Sequence, residues 1–268
     1  MAHPRLSVSE MCTYPWPFAD ELVLWDSLDL SHVGVLDNKL AAYGREQAVS
    51  ALTARSLRLT TVITNQFELA APATWDATRD EIRQSIDLAA VVGGCVYLTP
   101  GTAPGRSFDE LTQALADAVA PCLAHAATRG VRVAIEPTQR TDRSFVHTLR
   151  DAVEVADRTG LDLIVDLGNC WREPDLAAAV RHVGDRLAVA QLCDVLAHER
   201  GTLPAGTRVV PGDGDMPVDT FLRAVLDTGY TGPFELELVG PAVEAEGLEP
   251  ATRRAVDRAN ALLEKELP

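Results

Sequence analysis

The chain has 268 residues, 47% of them hydrophobic, and a formal net charge of −15. That length suits one α/β barrel with a large core, and the negative surplus repels nucleic acid and anionic membranes, which excludes both as nonspecific partners. Five cysteines, Cys12, Cys95, Cys122, Cys170 and Cys193, show no CxxC spacing and leave one unpaired under any scheme, so they are read as reduced, buried thiols of a cytoplasmic protein.

The opening MAHPRLSVSEMCTYPWPF lacks the basic region and apolar stretch of a signal peptide, and no apolar run reaches the length needed to span a bilayer. Strand-like runs follow at Leu6 to Met11, His32 to Leu36, Arg58 to Thr64, Cys95 to Thr99, Val131 to Glu136, Asp162 to Asp166, Ala188 to Cys193 and Phe234 to Leu238. Helical patterns alternate with them. FDELTQALADAVAPCLAHAATRG repeats apolar residues at three- and four-residue intervals and stops at Gly130, SFVHTLRDAVEVADRTG stops at Gly160, and VDTFLRAVLDTGYTG leads into the eighth strand. The stretch EPATRRAVDRANALLEKEL closes the ring. With no linker or charge block between units, the pattern predicts a single (β/α)8 TIM-barrel domain over residues 1–268. The longest irregular stretches, Thr13 to Pro17, Gln66 to Thr74, Pro100 to Ser107 and Ala197 to Pro217, follow strands, at the end of a barrel where function resides.

Four successive runs finish on an oxygen-bearing side chain: Glu136 in VRVAIEPT, Asp166 in LDLIVDLGN, Gln191 in LAVAQLCDV and Glu237 in PFELELVG. Closure of the barrel brings such positions to one point. Alternation in the last run sends Phe234, Leu236 and Leu238 outward and Glu235 and Glu237 inward. An inward carboxylate is costly unless it is paired or binds a cation. A salt bridge accounts for one of them; four coordinated strand ends predict one divalent cation. The all-oxygen set favours Mn²⁺ or Mg²⁺ over Zn²⁺.

Other residues are compatible with two roles. Glu10, Asn38 and Lys39 are expected at the rim, as polar substrate contacts or as ordinary loop and helix-start residues, and Trp16 as a pocket wall or an exposed loop side chain. Asn65 is placed to hydrogen-bond a substrate hydroxyl, and His198 and Arg200 to act as proton donor and anion anchor, or simply to be solvated. Arg208 precedes PGDGD and is read as pocket-shaping or as part of a surface salt bridge; Asp194 is placed to orient Gln191. His125, His147 and His182 fall on helical stretches and His32 at the opposite end of the barrel. GDGD carries no P-loop Lys and its aspartates repel an anion.

The runs IEPTQRTDRSFVHTLRDA, VDLGNCW, QLCDV, PGDGDMPVDTFLRAV and GYTGPFELEL, in this order and spacing, resemble the xylose-isomerase-like superfamily of (β/α)8 barrels. The resemblance is strongest from Val131 to Val239; from Met1 to Gly101 it rests on SVSEMCT and GVLDNKL. It implies metal ligation by Glu136, Asp166, Gln191 and Glu237, with Glu136 and Glu237 as catalytic carboxylates on opposite faces of a polyol or keto-sugar substrate. The implied reaction is isomerisation or epimerisation by α-proton removal through a metal-stabilised enediolate. Dehydration of a keto-cyclitol or a 3-dehydroshikimate-like substrate, cleavage of a keto-glycoside, and a non-catalytic barrel that binds a polyol or a partner are the alternatives. The superfamily's endonuclease branch needs further His and carboxylate ligands and a basic surface, which are missing. Homodimers and homotetramers are common among such barrels. Two departures stand out. Many members carry His where this chain has Gln191, although a branch with a QVCDW-like run uses Gln. Many also carry His at the position of Asn169, which cannot exchange a proton but can still hydrogen-bond a substrate, and this disfavours dehydration.

Overall fold

Short strands with Val, Leu and Ile directed outward form the wall of the molecule: β1 (Leu6–Ser9), β2 (His32–Leu36), β3 (Arg58–Ile63), β4 (Cys95–Leu98), β5 (Val133–Ile135), β6 (Asp162–Asp166), β7 (Leu187–Leu192) and β10 (Phe234–Leu236). In the computed structural model, which describes residues 2–197 and 208–267, these strands are parallel and close into a barrel in the order β1-β10-β7-β6-β5-β4-β3-β2. Closure runs through Leu6↔Phe234, Ser7↔Glu235 and Val8↔Leu236. Between β7 and β10, β8 (Asp194–Val195) and β9 (Arg208–Val209) pair as an antiparallel ribbon. The helices are α1 (Phe18–Ser27), α2 (Asp37–Tyr43), α3 (Arg45–Ala54), α4 (Trp75–Val92), α5 (Phe108–Arg129), α6 (Leu149–Thr159), α7 (Leu167–Cys170), α8 (Leu176–Val183), α9 (Val218–Asp227), α10 (Pro241–Glu246) and α11 (Leu248–Glu266). The chain thus has the (β/α)8 architecture.

Local signals set the element ends. Ser107 and Glu110 form a capping box at the start of α5, and Gly130 ends it in the left-handed region. Val131 N–H then bonds Ala126 O, which keeps Val131 with the helix end, so β5 is shorter than the hydrophobic run. Thr148 caps α6, whose Leu149, Ala152, Val155 and Ala156 are buried. Removing a side chain such as the outward-facing, fully buried Leu163 costs about 2–5 kcal/mol.

The packing has two parts. A large apolar cluster fills the space between strands and helices, while Cys95, Tyr97, Ala134, Ile164 and Val189 form a small plug inside the β4 to β7 half of the barrel. The remaining interior is polar, with Ser7, Thr61, Gln191, Glu235 and Glu237 all buried. All five cysteines are free and buried, and among the described residues no helix is long and apolar enough to cross a membrane.

Glu10 departs from expectation, while Lys39 takes the helix-start role as the third residue of α2. Ser9 Oγ accepts the Met11 N–H and turns the chain into a short 3-10 helix, Glu10–Thr13, so Glu10 leaves the strand and becomes fully buried. Its Oε2 accepts Leu36 N–H, and Lys39 Nζ donates to Glu21 Oε1 at 2.5 Å. Neither residue lines the cavity at the barrel mouth; together with Glu21 and Thr13 they form a polar cluster beside it.

Glu10 Oε1 and Glu21 Oε2 have no donor, and one shared proton satisfies both. Burial, then the charge of Glu21, pushes the Glu10 carboxyl from its ordinary 4.5 up to about 9. Below pH 4.5 folded and unfolded chains both hold this proton and the full stabilisation is present; up to about 9 only the folded chain holds it, so stability falls as pH rises. The melting temperature of metal-free protein is expected to fall over that range by roughly 2–4 °C per kcal/mol lost. Glu10→Gln, which offers Glu21 a donor at every pH, should flatten the fall; an unchanged slope in thermal unfolding followed against pH would contradict this assignment.

Candidate active site

The ends of β5, β6, β7 and β10 aim four oxygen-bearing side chains into one place. Glu136 and Glu237 continue the ladders beyond their strands, through Glu136 N–H to Leu98 O and Glu237 N–H to Leu192 O. Asp166 ends β6 and caps α7 by accepting Gly168 N–H at 2.8 Å. Glu136, Asp166 and Glu237 each offer a carboxylate oxygen within 4.8 Å of the others, and all three are buried. Gln191, paired in register with Asp166, donates Nε2 to Glu237 Oε2 at 2.8 Å, while its Oε1 is buried with no partner.

Arg208 on β9 enters this set. Its Nη2 pairs with Asp166 Oδ2 and stands 3.6 Å from Glu237 Oε1. At 5% exposure it is no surface salt bridge. Gly168 makes room for it, because a Cβ there would overlap the guanidinium. Burial raises the Glu136 carboxyl, and the charges of Glu237 and Asp166 raise it further. Burial holds Glu237 at about 7, with Arg208 pulling it down and Asp166 pushing it up.

Three carboxylates against one guanidinium leave a surplus of two negative charges when all are ionised. A buried excess of that size is relieved by protonation, the direction in which Glu136 and Glu237 are shifted, or by a cation. The orphaned Gln191 oxygen lacks a positive partner, and every available donor atom is oxygen. The residues therefore fit a hard divalent cation.

Asn169, one turn after Asp166, bridges the set: Nδ2 donates to Glu136 Oε1 at 2.8 Å and Asp166 Oδ2 at 3.0 Å, while Oδ1 accepts from Thr138 Oγ1. Its amide protons are directed at carboxylates, so it positions the cluster, and it also lines the cavity above. A cavity of about 950 Å³ opens above, lined by Glu136, Glu237, Asn169, Arg208, Tyr97 and Thr138, with Met11, Tyr14, Asn38, Asn65, Gln66, Arg140 and Arg143 among the other wall residues.

The remaining candidates divide. Asn65 is in the wall, but its Nδ2 donates to Glu81 Oε2 at 2.9 Å. Trp16 is half-buried outside the wall, and Tyr14 and Pro15 take the place expected for it. His198 and Arg200 lie outside the described residues. Asp194 accepts N–H groups of Val195, Gly212 and Met216, so it fixes the PGDGD turn instead of orienting Gln191. His147 precedes α6 and its ring packs against Thr138 O. Sequence reading missed Tyr97, whose hydroxyl lies 3.3 Å from both Glu237 Oε2 and Gln191 Nε2; alternation along CVYL was the available signal. It also missed Thr138, Gln66, Arg140 and Arg143, which sit on loops without periodicity.

A family model described as a xylose isomerase-like TIM barrel matches residues 21–262. A 3-dehydroshikimate dehydratase of Pseudomonas putida is 30% identical over 145 residues, which is 52% of this chain and 22% of that longer protein. The solved structure of the IOLI protein with a bound zinc atom superposes with a TM-score of 0.85, at 17% identity, over 97% of this chain and 98% of its own. A 3-keto-D-glucoside 4-epimerase from E. coli, in its apo form, gives a TM-score of 0.77 at 18% identity over 98% of this chain and 100% of its own. At these identities the structural likeness establishes the fold.

Proposed function

The chain belongs to the xylose isomerase-like TIM barrel family, and we propose that it is a divalent-metal-dependent isomerase or epimerase of a sugar, keto-sugar or related polyol. The observation that carries this reading is the buried pair Glu136 and Glu237, set beside Asp166 at the floor of a roomy cavity. A divalent cation held by Glu136, Asp166, Gln191 and Glu237 would supply Lewis acidity to a substrate carbonyl and offset the charge of an enediolate.

The protein's own groups carry the proton transfers. Glu237, in the cavity wall, is the first carboxylate, placed to take and return the α-proton. Glu136 is the second carboxylate, and its Oε1 is held by Asn169 so that Oε2 is left for the α-proton. Tyr97 fixes the Glu237 rotamer through Oε2. Arg208, charged and buried, is placed to bind a substrate hydroxyl or a developing oxyanion. Leu36, Ile63 and Leu238 add apolar wall that limits water.

A second reading is dehydration of a keto-cyclitol or keto-acid. The 30% identical dehydratase favours it, and so does Arg143 in the cavity wall, whose guanidinium group suits a carboxylate. Mn²⁺-loaded protein incubated in D₂O with ketoses, inososes and 3-dehydroshikimate, followed by NMR, separates the two. Deuterium uptake without water loss supports isomerisation, an enone product supports dehydration, and no exchange with any substrate speaks against both.

Asp166→Asn and Gln191→Ala are expected to weaken Mn²⁺ binding by at least the ~10- to 100-fold typical of outer-sphere partners. The fold should survive, because the site sits on a rim above an independent core. Calorimetric titration that found full affinity in both variants would remove these residues as ligands.

A further inference from the structure

Inside the barrel, one layer below the proposed cation set, lies a carboxylate that the chemistry leaves unused. Glu235 on β10 precedes Glu237 by two residues, shares its inward face and is 0% exposed. Its neighbours present donors: Gln191 Nε2 at 2.9 Å to Oε1, Thr61 Oγ1 at 3.0 Å to both oxygens and Ser7 Oγ at 3.3 Å to Oε2. The facing wall is hollowed for it. A Cβ at Gly34 would overlap Glu235 Oε2 and Thr61 Oγ1. An apolar side chain of similar size would fill this layer at less cost than a buried acid, so packing alone gives no reason for Glu235.

Gln191 gives one. An amide at a ligand position has a wrong face, which a carboxylate lacks: turned one way it offers oxygen to a cation, turned the other way it offers N–H. Here Nε2 faces Glu235 Oε1, Glu237 Oε2 and the Tyr97 hydroxyl, and the buried Oε1 has no partner. The reverse orientation would set the amide oxygen against two carboxylate oxygens. Glu237 is itself a candidate ligand, so Glu235 is the acceptor that stays on Gln191 when a cation draws Glu237. The register Asp166↔Gln191↔Glu235 places this acceptor on one side of Gln191 and the ligand Asp166 on the other.

We propose that Glu235 is a positioning residue that locks the Gln191 amide with its oxygen toward the cation set. The proposal rests on Gln191 being a ligand, and the test separates the two claims. Mn²⁺ affinity by calorimetry, the visible spectrum of the Co²⁺-loaded full chain and melting temperature are compared for wild type, Glu235→Met, Glu235→Gln, Gln191→Ala and the Glu235→Met/Gln191→Ala double variant. Glu235→Met, which has no acceptor, should weaken Mn²⁺ binding about 10-fold or more and shift the Co²⁺ bands, while the chain keeps a cooperative thermal transition. Glu235→Gln, which keeps one acceptor oxygen, should recover most of the affinity. In the Gln191→Ala background the Met substitution should cost nothing further, since residues that act through one another are non-additive. Equal weakening in both backgrounds, no weakening in either, or a Gln variant as poor as the Met variant would overturn the proposal. Wild-type affinity in Gln191→Ala would instead remove the ligand on which it rests. If Glu235→Met does not fold, Glu235→Ala serves for the same comparison.

Discussion

Glu136→Gln and Glu237→Gln are each expected to lower kcat by about 10²- to 10⁴-fold, the usual contribution of a positioned general base, with a much smaller effect on KM. An amide keeps a carbonyl oxygen for coordination but cannot accept the α-proton. At Glu136 the amide also faces the Asn169 Nδ2 donor, which turns its remaining oxygen toward Asn169 and its N–H₂ toward the substrate. Solvent-deuterium exchange at the α-carbon, followed by NMR, identifies the initiating base as the residue whose substitution stops exchange. A loss below about tenfold in both variants would contradict the carboxylate pair.

Stripping the protein with a chelator is expected to abolish turnover, and Mn²⁺ or Mg²⁺ to restore it. The same titration should raise the melting temperature. A ligand that binds only the folded chain adds about 2.7 kcal/mol at 100 times its Kd, or roughly 5–10 °C for a chain of this size. The surplus of buried negative charge around Arg208 adds to the gain, because the cation relieves repulsion among Glu136, Asp166 and Glu237. A melting temperature unmoved by millimolar Mn²⁺, with turnover intact after chelation, would contradict a metal enzyme.

The barrel and the four strand-end residues were legible because they are local. Hydrophobic alternation fixes which side of a strand faces inward, and Glu136, Asp166, Gln191 and Glu237 each sit at or just past the end of such a run. What was hidden depends on chain folding back or on hydrogen bonds between side chains. Glu10 continues the apparent first strand, and only the Ser9 cap turns it out of the ladder into contact with Glu21. Arg208 reaches Asp166, 42 residues away, through the β8–β9 ribbon, and nothing in VVPGDGD records that path. Asn169 was visible as a replacement for His, but its bonds to two carboxylates required α7 to be folded with β5 beside it. Glu235 was legible as inward-facing; its contact with the Gln191 amide was not.

The central claim, one divalent cation held by these strand ends, is tested most directly by anomalous diffraction from crystals grown with Mn²⁺. The account predicts a single strong manganese peak about 2.0–2.6 Å from oxygens of Glu136, Asp166, Gln191 and Glu237, with the Gln191 amide oxygen facing the ion. Saturating Mn²⁺ with no peak among these four side chains, or a peak held by other residues, would contradict it.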